Sequence, residues 1–101
     1  MRNKTYKLQK LEKNRYSIFD WDVEMCFICG GKATDMHEIY CGAKRQVSMK
    51  NGFCVPLCRG CHDHITNNEQ LSKVLKRQCQ RKFEETHTRD EFIKLIGRNY
   101  L

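Results

Sequence analysis

The sequence predicts a small α+β domain that a bound metal ion stabilises. Two observations predict it: two Cys-x-x-Cys pairs flank a stretch of strand-like residues, and apolar residues recur every three or four positions in the C-terminal third. At 101 residues, with 40% hydrophobic and 31% charged residues, the chain can form one folded domain with a small core. A core of this size usually needs a disulfide or a metal ion for stability.

The chain opens with a basic segment. We assign residues 1–14 to an N-terminal arm and residues 15–101 to a single domain. On a helix, lysines at every third position form a basic stripe that suits a polyanion such as DNA, whereas in a disordered tail they would only be solvated. The pattern leaves both interpretations open. The lysines concerned are Lys4, Lys7, Lys10 and Lys13.

Three short segments are candidates for strands. "RYSIFDW" (15–21) mixes aromatic and β-branched residues and predicts a short strand before the first cysteine pair. "KATDMHEIYCG" predicts a second strand that ends near Gly42. "GFCVPLC" predicts the returning strand of a hairpin, in which Pro56 limits pairing on both sides.

The C-terminal third predicts two helices. The first begins at a Thr66–Glu69 capping box, for which the two following asparagines are alternative caps. The second begins at a Thr88–Glu91 box and ends at Gly97. Residues that recur on one face of the first helix are Leu71, Val74, Leu75, Gln78, Cys79 and Phe83.

The two cysteine pairs predict a structural zinc site. The N-terminus has no apolar segment typical of an export signal, so we expect a cytoplasmic protein whose seven cysteines are not disulfide-bonded. No run approaches the ~20 apolar residues of a membrane span. Two thiolates spaced by two residues, with a glycine in or behind the turn, can reach one ion, and two such pairs complete a tetrahedral set. The predicted ligands are Cys26, Cys29, Cys58 and Cys61.

The histidines predict a second site. His62 directly follows the last zinc cysteine, His64 lies two residues further, and His37 and Glu38 lie in the first strand of the hairpin. Because the sulfurs are assigned to zinc, these groups could form a separate metal or catalytic site. The alternative is that each histidine is an ordinary strand or surface residue.

A family resemblance joins these features. "HEI" in a strand, a returning strand and "LCRGCH" entering a helix resemble the HNH endonuclease motif, or ββα-metal finger, in the branch that four cysteines hold together. The segments "RYSIF", "HEIYCGAKRQVSMKNG", "RKFEE" and "FIKLIGRNYL" are similar to small HNH-type proteins of phages and prophages. The resemblance covers residues 15–101 and implies a ββα-metal core followed by C-terminal helices.

The resemblance also implies roles for individual residues. His37 and His62 fall on the positions that bind a catalytic divalent cation, which could be Mg²⁺, Mn²⁺, Ni²⁺ or Zn²⁺. Glu38 occupies the general-base position, where the family has histidine. Asn51 is the nearest substitute for the family's orienting asparagine, and His64 for its second helical histidine.

The expected function is therefore metal-dependent hydrolysis of DNA phosphodiester bonds by a phage- or prophage-encoded endonuclease in the host cytoplasm. Lys44 and Arg45 would lie at the hairpin tip, where the family meets DNA. The replaced base favours an alternative, a non-catalytic DNA- or protein-binding module on the same scaffold, possibly a phage inhibitor of a host protein. The sequence leaves the oligomeric state open.

Overall fold

The computed structural model describes residues 6–101, which form five helices and a two-stranded antiparallel sheet. This mixed architecture confirms the α+β prediction. None of the described helices combines the length and the apolar character that crossing a membrane requires. In chain order the elements are α1 (Tyr6–Lys13), β1 (Asp35–Glu38), a 3₁₀ turn (Gly42–Lys44), α2 (Arg45–Asn51), β2 (Cys54–Leu57), α3 (Arg59–Thr66), α4 (Glu69–Phe83) and α5 (Arg89–Ile96).

The sheet confirms that "GFCVPLC" is the returning strand. Strands β1 and β2 pair antiparallel, with His37 opposite Val55 and Glu38 opposite Cys54. Strand β2 is buried along its whole length, and helix α3 contacts both strands. Pro56 is paired with Met36, and its carbonyl accepts a hydrogen bond from the Phe27 backbone at 2.8 Å.

The connection between the strands differs from the predicted hairpin. Strand β1 ends at Glu38 rather than near Gly42, and helix α2 occupies most of the link. The Ser48 hydroxyl, fully buried on α2, donates to the Tyr40 carbonyl at 2.7 Å and accepts from the Tyr40 N–H at 3.1 Å. These bonds satisfy the N–H and C=O groups of Tyr40 without a strand partner, so the strand need not continue to this residue.

Residues 15–21 do not form the predicted strand. This irregular segment lies against the end of α2, where the Ile18 N–H donates to the Gly52 carbonyl at 2.9 Å. Gly52 ends α2 with φ +74°, and a Cβ atom there would lie 2.5 Å from the Tyr16 ring. Glycine is therefore required at this position both for the turn and for the close approach of Tyr16.

The helix ends follow the sequence signals with one correction. Asn68 is the N-cap of α4, and its side chain accepts from the Leu71 N–H at 3.1 Å. The Thr66–Glu69 box was wrong, because Thr66 is the last residue of α3 and its hydroxyl donates to the His62 carbonyl. The Thr88 capping box and the Gly97 C-cap of α5 are confirmed.

The core lies where the sheet, α4 and α5 meet. Rings of Tyr40, Phe53, Phe83 and Phe92 contact one another with centroid separations of 5.5–6.2 Å. The predicted helix face is correct in part, since Leu75, Cys79 and Phe83 are buried and Leu71 is half-buried, but Gln78 is exposed. Val74 is instead 46% exposed, and Gln80 takes a buried position that the apolar pattern did not indicate.

The basic N-terminal segment forms a helix over its described residues. Helix α1 contacts α2, and Arg45 on α2 pairs with Glu12 on α1 at 3.2 Å. Lys7, Lys10 and Lys13 are exposed, as a basic stripe requires. Lys4 lies outside the described residues.

Candidate metal centre and histidine site

The four predicted zinc cysteines converge. Their sulfur atoms all lie within 4.8 Å of one another, and the Sγ atoms of Cys29 and Cys58 are 3.8 Å apart. In a tetrahedral site with Zn–S bonds of about 2.3 Å, neighbouring sulfurs are about 3.8 Å apart. The arrangement could therefore hold a metal ion. The four ligands are Cys26, Cys29, Cys58 and Cys61.

Backbone geometry in each Cys-x-x-Cys turn positions the sulfurs. The Gly31 N–H donates to Cys29 Sγ, and the Cys61 N–H donates to Cys58 Sγ, both at 3.4 Å. Gly30 closes the first turn at φ +77°, a conformation that favours glycine. Cys58 is also the N-cap of α3, so the second turn fixes the start of that helix.

The protonation of the thiols also fits a cation. Burial alone would raise the pKa of the Cys26 thiol. Hydrogen bonds from backbone N–H groups, among them those of Cys29 and Cys58, outweigh burial and lower this pKa to about 6. The pKa of Cys61 is raised to about 12, chiefly because its side chain is hydrogen-bonded to Cys58. Thiolates packed this closely repel one another, so a bound cation is needed for all four to ionise.

The two histidines assigned to the second site also come together. His37 lies on β1 and His62 on α3, and their ring centroids are 5.2 Å apart. Because α3 starts directly after β2 and contacts both strands, the fold brings a strand histidine and a helix histidine to one place. An open cleft of about 500 Å³ borders His62.

Asp35 belongs to this site and was missed in the sequence. Its Oδ2 lies 2.9 Å from His62 Nδ1 and accepts from Arg59 Nε at 3.1 Å. The hydrogen bond with His62 is the main reason that the pKa of Asp35 lies below its usual range, and the hydrogen bond and positive charge of Arg59 add to it. Strand alternation was the available signal, because residues two apart on β1, such as Asp35 and His37, share a face.

Burial keeps the ring of His37 neutral. It lowers the pKa of His37 to about 4, and the nearby His62 and Lys76 act in the same direction against Glu38. At neutral pH the ring therefore has an unprotonated nitrogen, which can bind a metal ion or accept a proton.

Glu38 has different partners. Its Oε1 accepts from Arg15 Nη1 at 2.9 Å and lies 3.2 Å from Arg45 Nε, and its side chain is only 13% exposed. Glu38 also lines the cleft that borders His62 and Asp35. The arrangement is a carboxylate between two guanidinium groups.

Asn51 and His64 do not join the site. The Asn51 amide donates to the Val47 carbonyl at 2.9 Å, and the residue lines a different cavity, which His87 also lines. His64 is exposed on α3, two residues after His62, which places it about 200° around the helix.

The expected hairpin tip is wrong, whereas the DNA contacts of Lys44 and Arg45 stay a prediction. Lys44 ends the 3₁₀ turn, and its side chain lies near Gly97 at the end of α5. Arg45 begins α2 and is engaged by Glu12 and Glu38. The tip is absent because α2 fills the connection.

Comparisons with protein-family models, curated proteins and solved structures gave no match for this chain.

Proposed function

We propose that this protein is a metal-dependent DNA endonuclease of the HNH type, with a structural zinc ion at the four cysteines. The observation that carries the proposal is the approach of His37 and His62 to 5.2 Å, from a strand and a following helix, beside a carboxylate that orients one of them. The resemblance of "HEI" and "LCRGCH" to the HNH motif supports it.

The proposal assigns three residues to the site. Asp35 accepts a hydrogen bond from His62 Nδ1, which leaves Nε2 as the nitrogen that can face a ligand. His37 supplies a neutral ring from the strand. A divalent ion held by these two histidines would polarise a phosphate oxygen and lower the pKa of a water.

Glu38 has a positioning role in this proposal. Its two arginine partners tie β1 to α2 and to the segment after α1, which holds the strand that carries His37. The general-base role that the resemblance gives to Glu38 stays a prediction. Glu38→Gln tests it through the pH profile of cleavage, because loss of a base would change how the rate depends on pH, whereas a positioning defect would lower the rate at every pH.

The test is cleavage of supercoiled plasmid with Mg²⁺, Mn²⁺ or Ni²⁺. His62→Ala should abolish cleavage, a loss of several powers of ten if transition-state charge is no longer stabilised. His64→Ala, on the same helix but exposed, is the matched control and should cut like the parent. A parent that cuts with none of these metals, at one zinc per chain, would refute the endonuclease.

The second candidate is a non-catalytic DNA-binding module. It is favoured by the position of Glu38 between two arginines and by the separation of Asn51 from the histidines. Under this proposal the parent and His62→Ala bind DNA with equal affinity, and neither cuts it.

A further inference from the structure

A basic pocket lies beside the C-terminus. It has a volume of about 390 Å³ and lies between the end of α3, the first half of α4 and the last residues of the chain. We call it the C-terminal basic pocket and define it by Ser72, Lys73, Lys76, Arg98 and Tyr100. Its cations are outside the predicted DNA-contacting residues of the arm and hairpin.

Two cations in this pocket share one aromatic ring. Arg98 Cζ lies 4.6 Å and Lys76 Nζ 5.7 Å from the centroid of the Tyr100 ring. Neither cation forms an ion pair with any residue that the structure describes. The third, Lys73, pairs at 3.4 Å with Glu69, but both side chains are exposed and such pairs are weak. The pocket therefore holds three cations against one carboxylate, that of Glu69, and a bound anion would neutralise the excess positive charge.

The segment that carries Arg98 and Tyr100 is fixed to α4. The buried Gln80 accepts from the Tyr100 N–H at 2.8 Å and donates to Asn99 Oδ1 at 2.7 Å. Arg77 Nε donates to the Tyr100 carbonyl at 3.3 Å. Because these bonds hold the backbone of Tyr100 in place, little further ordering of this segment is needed when a ligand binds.

The pocket is close to the histidine site. Thr66, which lines it, lies four residues beyond His62 on α3, about 6 Å along the axis, and donates its hydroxyl hydrogen to the His62 carbonyl. Each strand of duplex DNA carries one phosphate per about 3.4 Å of axis, so this separation spans about two phosphate steps of one strand.

We infer that the C-terminal basic pocket binds the phosphodiester backbone of the same DNA strand that presents a phosphate to the His37–His62 site. The inference rests on the proposed function for the position of that strand. Lys76 and Arg98 contribute charge, Ser72 offers a hydroxyl donor, and Tyr100 holds the two cations together.

The experiment measures binding of a labelled DNA duplex by fluorescence anisotropy at several salt concentrations. Lys76→Ala and Arg98→Ala should each weaken binding about eightfold at 0.1 M salt, and each should flatten the slope of log K against log salt by about 0.9. Arg98→Lys should keep the parent's slope, since it keeps the charge. Lys94→Ala, an exposed lysine of α5 outside the pocket, is the control and should bind like the parent.

Binding and cleavage are read separately, so the two proposals can fail independently. If Lys76→Ala and Arg98→Ala both bind like Lys94→Ala, the pocket is refuted, even where the parent cuts plasmid. If both lose affinity while the parent cuts nothing with any metal, the pocket stands and the endonuclease falls. Circular dichroism of each variant should match the parent, because both side chains lie at the surface of the fold.

Discussion

Replacing Cys29 by serine should unfold the domain. Cys29 is exposed and packs against little, so this substitution mainly removes a zinc ligand, whereas the same change at the fully buried Cys26 would also disturb the core. Structural zinc contributes about 10–16 kcal/mol of folding free energy in small metal-dependent domains. A domain of this size is stable by only about 5–15 kcal/mol in total. The loss of zinc is therefore large enough to abolish the folded state.

The assay combines zinc content with thermal unfolding followed by circular dichroism. The parent should carry one zinc per chain and lose its cooperative transition when a chelator is added. Cys29→Ser should resemble the chelated parent at every temperature. Cys41→Ser replaces another exposed cysteine, outside the metal centre, and should melt like the zinc-loaded parent. A Cys29→Ser protein that lacks zinc yet melts cooperatively at the parent's temperature would refute the reasoning.

Two further predictions concern thiol reactivity and acid stability. In the zinc-loaded protein only Cys41 should react rapidly with a thiol reagent. Burial raises the pKa of both Cys54 and Cys79 to about 12, and zinc protects the remaining four cysteines. Rapid labelling of either buried thiol, seen by peptide mapping, would contradict this. Hydrogen bonds from Arg89 and Gln80 lower the pKa of Glu84 from 4.5, so its contribution to stability is present above that pH and is lost as the pH falls through the folded-state pKa. Glu84→Gln should accordingly flatten the acid limb of the stability curve in urea titrations, and an unchanged limb would count against it.

Local signals predicted much of this fold. The Cys-x-x-Cys turns, the Thr88 capping box and the Gly97 C-cap each depend on residues a few positions apart, so their chemistry can be read along the chain. Strand β2 was recognisable as a short apolar run bounded by glycine and cysteine.

Long-range pairing accounts for what the sequence missed. Helix α2 was not predicted, because the two strands that flank it look the same in the sequence whether a turn or a short helix connects them. The ion pairs of Glu38 with Arg15 and Arg45 depend on how α1 and α2 contact the sheet, which no local pattern specifies. Asp35 was also missed, although a local signal was available: strand alternation puts it on the same face of β1 as His37.

The proposed function requires that His37 and His62 hold a divalent ion distinct from the four-cysteine zinc. Calorimetric titration of Ni²⁺ into zinc-loaded protein tests this requirement, with the parent compared with His37→Ala. We expect one Ni²⁺ per parent chain and none in His37→Ala, while the zinc content stays at one per chain in both proteins. A parent that binds no Ni²⁺, or a His37→Ala variant that binds it as the parent does, would contradict the claim.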